Sequence, residues 1–384
     1  MKVVAAIDSF KGSITSLEAG GSAAEGVKRV FPDAEIFVSP LADGGEGTLD
    51  AIISATSGKY VEAEVTGPLG ETILAKYGIT PDGCAVIEMA SAAGITLVPE
   101  EKRNPLYTTT FGVGELIRHA ILESGCRRFT VGIGGSATND GGVGMLSALG
   151  FRFLDIDGVE VKNGAIGLKD IAKIDTHFAL KELSECVFSV ACDVKNPLCG
   201  ENGCSAIYAP QKGADAAMIR DMDGWLSKYA VLTEATLGNS FKDFPGAGAA
   251  GGLGFAFLSY LKATLSSGID LVIERTGIEK RIADCDVVIT GEGRLDGQSG
   301  MGKAPIGIAR VAKKYGKTVL AFSGAVTEDA RALNALGIDA FFPILKAPCT
   351  LDAAMRVDNA KRNLADTCEQ AFRIIKAIKG EHKK

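Results

Sequence analysis

Short apolar runs alternate with amphipathic stretches at both ends of the chain. Residues 3–7 form an apolar run, and Thr15 and Glu18 have the spacing of a capping box, which predicts a helix beginning there. Residues 35–38 predict a second strand, followed by a glycine-rich loop and another helix. Near the C-terminus the pattern predicts strands at 285–290, 318–322 and 340–344 and helices at 306–314 and 360–378. This repetition of strand, loop and helix indicates an open parallel sheet.

The middle of the chain has a different pattern. Residues 62–66, 72–79 and 84–89 alternate as hairpin strands do, and long glycine-rich loops follow. The chain has 384 residues, more than a single hydrophobic core usually serves. We predict an α/β protein with two α/β domains, one of them a Rossmann-like parallel sheet built from both chain ends. That domain comprises residues 1–65 and 267–384, and residues 66–266 form the inserted domain.

Composition narrows the possible partners. The net charge is −6 and the isoelectric point about 5.4, so the chain lacks the broad positive field that nucleic acids or anionic membranes attract. No apolar stretch is long enough to span a bilayer, and the N-terminus lacks a signal-peptide pattern. Nine cysteines without a CxxC pair favour reduced thiols and a cytoplasmic protein.

The segment GIGGSATNDGG at 132–142 lies between a predicted strand and a predicted helix. Closely spaced glycines let the backbone approach a phosphate, so Gly134, Gly135, Ser136 and Asn139 are candidate ligands for one. The segment also contains Gly-x-Gly-x-x-Ala, and Asp155 follows at roughly the spacing of a ribose-binding acid. An NAD-dependent hydroxyacid dehydrogenase using residues 132–137 therefore stays open, as does a loop whose glycines serve packing alone.

A second polar stretch, TGEGRLD at 290–296, continues to Gly302 and Lys303. Residues 297–303 match the first seven positions of a Walker A loop, but Ala304 replaces the Ser or Thr that would hold magnesium. We interpret the segment as a loop that is not a true P-loop. Arg294, Asp296 and Lys303 would still suit a polyphosphate, although a solvated loop with ordinary charges is the alternative.

A further glycine run at 246–254 satisfies Gly-x-Gly-x-x-Gly, but no strand is predicted before it. The run can border a substrate or serve packing.

Asp193 follows an apolar strand, where a carboxylate can hold a divalent cation, accept a hydroxyl proton or form a turn. Asp8 and Asp43 also follow strands, at the positions where open α/β sheets bind ligands, although Asp43 can instead cap a helix. Lys11 lies in a loop beside glycine.

Several enzyme classes lack their machinery here. The chain has no Gly-x-Ser-x-Gly elbow, and none of its three histidines lies in a glycine-rich loop. A Ser-His-Asp hydrolase and a histidine-ligated zinc enzyme are therefore disfavoured. Aspartates, lysines and glycine loops match phosphoryl transfer. A non-catalytic sensor of a sugar or an acid is the remaining class.

Five segments together resemble the bacterial type 1 glycerate kinase family. They are DSFKGS at 8–13, ADGGEGT at 42–48, GGSATNDGG at 134–142, the glycine run at 246–254, and TGEGRLD at 290–296 with Gly302 and Lys303. They occur in the family's order and extend over residues 1 to about 370. The resemblance implies a two-domain α/β fold, ATP and Mg²⁺ as cofactors, glycerate as substrate, and usually 2-phosphoglycerate as product.

The resemblance also guides the assignment of site residues. We expect ATP phosphates on Gly134, Gly135, Ser136, Asn139 and Lys303, and Mg²⁺ on Asp193 or Asp296. Glycerate is expected on Asp8, Ser9, Lys11, Asp43 and Arg294. The predicted catalytic residues are Asp193, Lys11 and Arg294, with Asp193 orienting the attacking hydroxyl or accepting its proton. Glycerate is the expected partner, a homodimer is compatible with this reading, and neither nucleic acid nor a membrane is expected.

Overall fold

The computed structural model describes residues 1–297 and 303–381, and they form two compact units. The first unit comprises Met1–Asp43, Asp50–Thr56 and Val272–Lys384, and the second comprises Gly44–Leu49 and Ser57–Leu271. Both units are α/β, as predicted. The predicted crossing point near Val65 lies inside a strand of the second unit, because residues 59–66 pair along their whole length with the next strand.

The strands in chain order are β1 (Lys2–Ile7), β2 (Glu35–Val38), β3 (Lys59–Thr66), β4 (Thr72–Ile79), β5 (Cys84–Glu88), β6 (Arg128–Gly132), β7 (Arg152–Leu154), β8 (Lys173–Asp175), β9 (Val187–Ala191), β10 (Thr264–Ser266), β11 (Val287–Leu295), β12 (Thr318–Val326) and β13 (Ala340–Pro343). The helices are α1 (Ser16–Val30), α2 (Thr48–Thr56), α3 (Ala90–Ala93), α4 (Phe111–Leu122), α5 (Val143–Ala148), α6 (Ala165–Leu168), α7 (Cys204–Tyr208), α8 (Ala216–Leu237), α9 (Ala249–Leu261), α10 (Gly268–Thr276), α11 (Ile278–Asp284), α12 (Ala304–Lys314), α13 (Leu351–Met355) and α14 (Val357–Glu381).

The sheet of the first unit is parallel, with the strand order β13-β12-β11-β1-β2. Apolar side chains of β1, α1 and α14 share one buried cluster beside it. The predicted capping box begins α1, because Thr15 Oγ1 accepts the Glu18 N–H and the Glu18 carboxylate accepts the Thr15 N–H. Gly20 lets α1 approach the sheet, since a Cβ there would lie 2.4 Å from a methyl carbon of Val38.

Strands β11 and β12 extend further than predicted. Residues 291–295 were predicted as loop because they are polar and contain two glycines, yet they continue β11 to Leu295. Arg294 pairs with Ala325 in a parallel ladder, so pairing with β12 overrides the low strand propensity of these residues. The charged side chains of this segment are therefore carried by a strand.

The sheet of the second unit has the order β10-β9-β6-β5-β4-β3. Strands β5, β6, β9 and β10 are parallel, and β3, β4 and β5 form the predicted antiparallel hairpins. Phe129 and Phe188 stack at 4.7 Å in its core. The register pairs Glu88 with Gly132 and Gly132 with Ala191, so the carboxyl ends of three parallel strands lie level at one edge.

All nine cysteines are free thiols, as their spacing predicted. Over the two described ranges, no helix is both long enough and apolar enough to cross a membrane.

Candidate active site

A cleft of about 480 Å³ lies at the carboxyl edge of the first unit's sheet. Its polar lining residues are Asp8, Ser9, Lys11, Ser13, Asp43, Glu292, Arg294, Asp296 and Lys303. From β1 the chain continues to β2 on one side, whereas β11, β12 and β13 follow one another on the other side. Open α/β sheets bind ligands where the strand order reverses in this way. The cleft therefore lies at the position that the topology favours for a ligand.

Residues far apart in sequence meet in this cleft because β1 and β11 are neighbours. Ile7 pairs with Gly291, and the Asp8 N–H donates to Gly291 O at 2.9 Å. The cleft brings together the residues predicted for glycerate with two residues predicted for nucleotide or metal, Asp296 and Lys303. Glu292 also lines the cleft but was not predicted as a site residue, although Arg294 and Asp296 of the same segment were.

Two cations in the cleft are held loosely. Lys11 Nζ is 3.6 Å from Asp43 Oδ2, and Arg294 Nε is 3.6 Å from Asp296 Oδ2. Both separations exceed ordinary hydrogen-bond lengths, and the side chains of Lys11 and Arg294 are 74% and 66% exposed. Exposed ion pairs contribute about 0–1 kcal/mol, so either cation can turn towards a bound anion at little cost.

The carboxyl group of Asp8 has a strongly perturbed pKa. Asp8 as a whole is only 6% exposed to solvent, and its Oδ1 accepts the Ser9 N–H at 2.7 Å. Burial, and secondly the negative charge of Asp43, raise the pKa of Asp8 to about 7. A carboxyl group that titrates near neutral pH in a cleft is suited to bind a hydroxyl group or to accept its proton.

Lys303 is the N-cap residue of α12, and its side chain lines the cleft. Pro305 lies in the first helical turn, as predicted. Residues 298–302, which include Gly302 and most of the near-Walker match, lie outside the described residues. On the other side of that segment, the Gly297 N–H donates to Asp329 Oδ2 at 3.0 Å.

In the second unit the glycine-rich loop at 132–142 leaves the edge of the sheet after β6. Gly134 and Gly135 are exposed, whereas Ser136 is 8% exposed and Asn139 is fully buried. The Asn139 amide donates to Ser205 Oγ at 2.9 Å inside the unit. In this structure it is therefore inaccessible to a ligand and anchors the loop, unlike the role predicted for it.

Asp193 is exposed just beyond the end of β9. Its Oδ1 accepts the N–H of Gly268, the first residue of α10, at 3.0 Å. The adjacent Gly44 has a φ of +89°, and a Cβ there would lie 2.7 Å from that of Ala191. Asp193 thus caps a helix at a crowded strand edge while remaining accessible to solvent.

The dinucleotide-binding alternative does not fit this geometry. A Rossmann fingerprint needs a tight turn from strand to helix, but ten residues separate β6 from α5. Asp155, the candidate ribose-binding acid, is half-buried in a turn after β7 and accepts the N–H groups of Asp157 and Val159. Asp155 therefore stabilises that turn and does not act as a ribose-binding acid beside the loop at 132–142.

The glycine run at 246–254 packs against the first glycine-rich loop. The Gly141 N–H donates to Gly251 O at 2.9 Å. A Cβ at Gly251 would lie 2.1 Å from Thr138 O, and one at Gly252 would lie 2.8 Å from the Cα of Gly141. Of the two readings of this run, packing is the one that the contacts support.

Two residues beneath the first loop were missed as individual site candidates. Asp140 is fully buried and accepts both the N–H and the hydroxyl of Thr110 at 2.8 Å. Lys212 is 2% exposed and donates to Ser136 Oγ and Thr138 O. Asp140 belongs to the motif GGSATNDGG at 134–142, whereas nothing in the sequence around Lys212 indicates that this lysine is buried. No group of three or more His, Cys, Asp or Glu among the described residues could hold a metal ion.

Comparisons with known proteins agree with the resemblance noted above. The model of the glycerate kinase family matches residues 3–376. The glycerate 2-kinase of Escherichia coli K12 is 50% identical over 373 residues, covering 96% of this chain and 98% of the relative. The glycerate kinase of Haemophilus influenzae is 48% identical over 376 residues, covering 98% and 99%.

A solved structure matches equally well. The crystal structure of a putative glycerate kinase 2 from Salmonella typhimurium LT2 superposes with a TM-score of 0.90 at 45% identity, covering 99% of each chain. The dehydrogenase alternative finds no support among these relatives. The chain therefore belongs to the glycerate kinase family and is a phosphotransferase that phosphorylates glycerate.

Proposed function

We propose that this chain transfers the terminal phosphoryl group of ATP to D-glycerate in the presence of Mg²⁺, giving 2-phosphoglycerate and ADP. The observation that carries the proposal is the meeting in one cleft of Lys11, Arg294 and Lys303 with Asp8, whose pKa burial raises to about 7. The 2-phosphate product is proposed because the E. coli relative at 50% identity is named a glycerate 2-kinase. A homodimer and a cytoplasmic location remain predictions.

The cleft residues suit a small hydroxy acid. Lys11 and Arg294 bind the carboxylate, because both carry loosely paired, exposed cations. Asp8, Ser9 and Asp43 accept or donate hydrogen bonds to the hydroxyl groups. The cleft, at about 480 Å³, is larger than a three-carbon acid requires, which leaves space for phosphate groups beside Lys303.

Each unit, taken by itself, contains groups that suit nucleotide phosphates. In the first unit, Lys303 supplies a positive charge for the phosphates. In the second, the backbone of Gly134, Gly135 and Ser136 supplies N–H donors. Asn139 supports that loop from inside the unit.

The residues present are compatible with Mg²⁺. This ion takes oxygen ligands, keeps several waters and is usually held by one or two carboxylates together with substrate phosphates, so a preformed cluster of three carboxylates is not required. Asp296 would hold it in the first unit, and Asp193 offers an accessible carboxylate in the second. When bound, it would neutralise charge on the phosphate oxygens.

The first test measures the reaction itself. Purified protein with D-glycerate, ATP and Mg²⁺ is expected to release ADP, and ³¹P NMR is expected to identify the product as 2-phosphoglycerate. Omission of Mg²⁺ should abolish turnover. Appearance of 3-phosphoglycerate alone would contradict the assigned product, and absence of ADP release would contradict the donor.

The second test concerns Lys303. Lys303→Met keeps most of the side-chain volume and removes the ammonium, so kcat/KM for ATP should fall at least about tenfold, or 1.4 kcal/mol. The KM for glycerate should change much less, because its carboxylate is assigned to Lys11 and Arg294.

A matched control for this variant is Lys28→Met, since Lys28 is an exposed lysine of α1 in the same unit. It should retain the kinetic constants of the wild type. Loss of glycerate affinity with an unchanged ATP constant in Lys303→Met would show that the two ligands are assigned to the wrong residues.

A further inference from the structure

A lysine ammonium is buried against Ser136 and Thr138, which follow the exposed Gly134 and Gly135 in the loop at 132–142. Lys212 ends the short 3₁₀ helix Pro210–Lys212 and is 2% exposed. Its Nζ donates to Ser136 Oγ at 2.7 Å and to Thr138 O at 2.6 Å. The neighbouring Gly213, at a φ of +95°, lets the chain turn against the backbone of Arg103.

The donor chemistry of the ammonium fixes the direction of the Ser136 hydroxyl. An ammonium group can only donate, so Ser136 Oγ accepts from Lys212 and its own proton is left for another acceptor. The N–H groups of Gly134, Gly135 and Ser136 donate to no backbone acceptor within the described part of the chain. Gly135 has a φ of +74°, the left-handed geometry that occurs in anion-binding backbone turns. Four donors are thus available around the exposed part of the loop.

The loop holds this arrangement before any ligand arrives. The Ile95 N–H donates to Gly135 O at 2.8 Å, and the Ala137 N–H donates to Ala93 O at 2.9 Å. Farther along, the buried Asp140 fixes the loop to the start of α4 through Thr110. Preorganised donors of this kind need little rearrangement when an anion binds.

A purely structural role does not account for the charge. Burying an ammonium is costly, and an apolar side chain of similar length would fill the same space without that cost. No carboxylate forms an ion pair with Lys212 among the described residues, and its bonds go to one hydroxyl and one carbonyl. The buried oxygens Thr138 Oγ1 and Asn139 Oδ1 also lack partners there. A buried ammonium whose hydrogen bonds, among the described residues, go only to neutral oxygens suits a bound anion at the adjacent N–H groups.

We propose that Lys212 is a positioning residue for phosphate binding: it orients the Ser136 hydroxyl and supplies the charge that holds a nucleotide phosphate on the N–H groups of the loop. The inference rests on the proposed use of ATP, since it names the loop that would bind the nucleotide phosphates. Lys212 itself is too deeply buried to contact the ligand, so it acts through Ser136 and through its electrostatic field.

The proposal has a pH signature. Burial lowers the pKa of Lys212 to about 8, and the carboxyl group of Asp140 on the loop opposes that shift. Cys204 on α7 would oppose it only as a thiolate, and burial raises the pKa of this thiol to about 12, so it is neutral near pH 8. Phosphate affinity should therefore fall as the pH rises through about 8. A lysine with a lowered pKa costs stability while it is charged, so its contribution to stability should improve over the same range. A merely structural lysine would not weaken ligand binding in that way.

The first experiment is calorimetric titration of the full chain with ATP at about pH 7 and about pH 9.5. We expect the wild type to bind ATP about tenfold more weakly at the higher pH. Lys212→Met should bind weakly at both values, with little pH dependence. Lys228→Met, which removes an exposed lysine of α8 in the same unit, should behave as the wild type. A wild-type affinity that does not change with pH would overturn the proposal.

The second experiment is a double-mutant cycle with Ser136→Ala. We expect Lys212→Met to lower kcat/KM for ATP at least about tenfold, mainly through KM, and the double variant to be little worse than Lys212→Met alone. Fully additive effects, or a single variant within twofold of the wild type, would overturn the proposal. Emission of Trp225, the single tryptophan, on α8 reports whether each variant is folded.

Two further outcomes remain decisive. If Lys212→Met does not fold, two measurements that do not use this variant still test the proposal. They are the pH series of the wild type and the ATP affinity of Ser136→Ala. If the wild type uses no ATP, the proposed function fails. In that case, titration with inorganic tripolyphosphate at the two pH values tests the loop separately. A pH-dependent affinity would support the role of Lys212, and a constant one would contradict it.

Discussion

Asp193→Asn is expected to lower kcat by about 10²-fold or more while the fold remains intact. The asparagine Oδ1 can still accept the Gly268 N–H, which Asp193 binds at 3.0 Å, so the cap on α10 is retained. The negative charge and the basicity are lost. Steady-state kinetics with saturating glycerate and ATP measure the effect, and thermal unfolding checks the fold.

Asp215→Asn is the matched control for this variant. Asp215 caps α8 in the same unit, and its Oδ1 accepts the N–H groups of Ala217 and Met218 at 2.8 Å. The control makes the same chemical change at another helix cap and should leave kcat within a few-fold of the wild type. If Asp193→Asn also stays within a few-fold, Asp193 is a helix cap and not a catalytic group.

A titration with Mg²⁺ separates the two roles proposed for Asp193. A metal ligand should show a raised half-saturating Mg²⁺ concentration in Asp193→Asn, with partial recovery at high concentration. A residue that orients the hydroxyl or accepts its proton should show a lower kcat with an unchanged dependence on Mg²⁺.

The local sequence pattern predicted most of the elements but not the ends of those at the site. The capping box of Thr15 and Glu18 and most strands of both sheets were recognisable because their signals are local, whereas β10 was not predicted. The extension of β11 through Arg294 was not, since it depends on pairing with Ala325, which is distant in the sequence. That pairing carries the charged residues of the cleft, and no local propensity indicates it.

Motifs singled out segments of the chain but did not indicate which way each side chain is directed. The segment at 134–142 was correctly singled out as a loop between a strand and a helix, yet Asn139 lies in the core and Gly134 on the surface. A glycine-rich loop has no fixed periodicity, so its inner and outer faces cannot be read from residue order. Lys212, in the turn PQKG, looks like an ordinary solvated lysine, and only the packed structure shows that it is buried.

Asp8→Asn is expected to lower kcat/KM for glycerate by about 10²-fold and at the same time to stabilise the fold above neutral pH. In the wild type the pKa of Asp8 is raised to about 7 from an ordinary value of 3.8, chiefly by burial. A group with a raised carboxyl pKa binds its proton more tightly in the folded state. Stability therefore falls as the pH rises between these two values, and above about pH 7 the ionised carboxylate costs up to roughly 4 kcal/mol.

The asparagine keeps the shape and the acceptor for the Ser9 N–H but carries no charge, so it removes most of that cost. Thermal unfolding at about pH 8 should show a Tm several degrees above that of the wild type, and the difference should shrink as the pH is lowered towards 4. Asp33→Asn, at an exposed site of the same unit, should change neither Tm nor kcat/KM. If Asp8→Asn lost activity together with stability, Asp8 would serve the fold. Lost activity with gained stability would instead mean that the buried carboxylate of Asp8 destabilises the first unit and is required for the reaction with glycerate. In that case the acid limb of the kcat/KM profile near pH 7 should be absent from the variant.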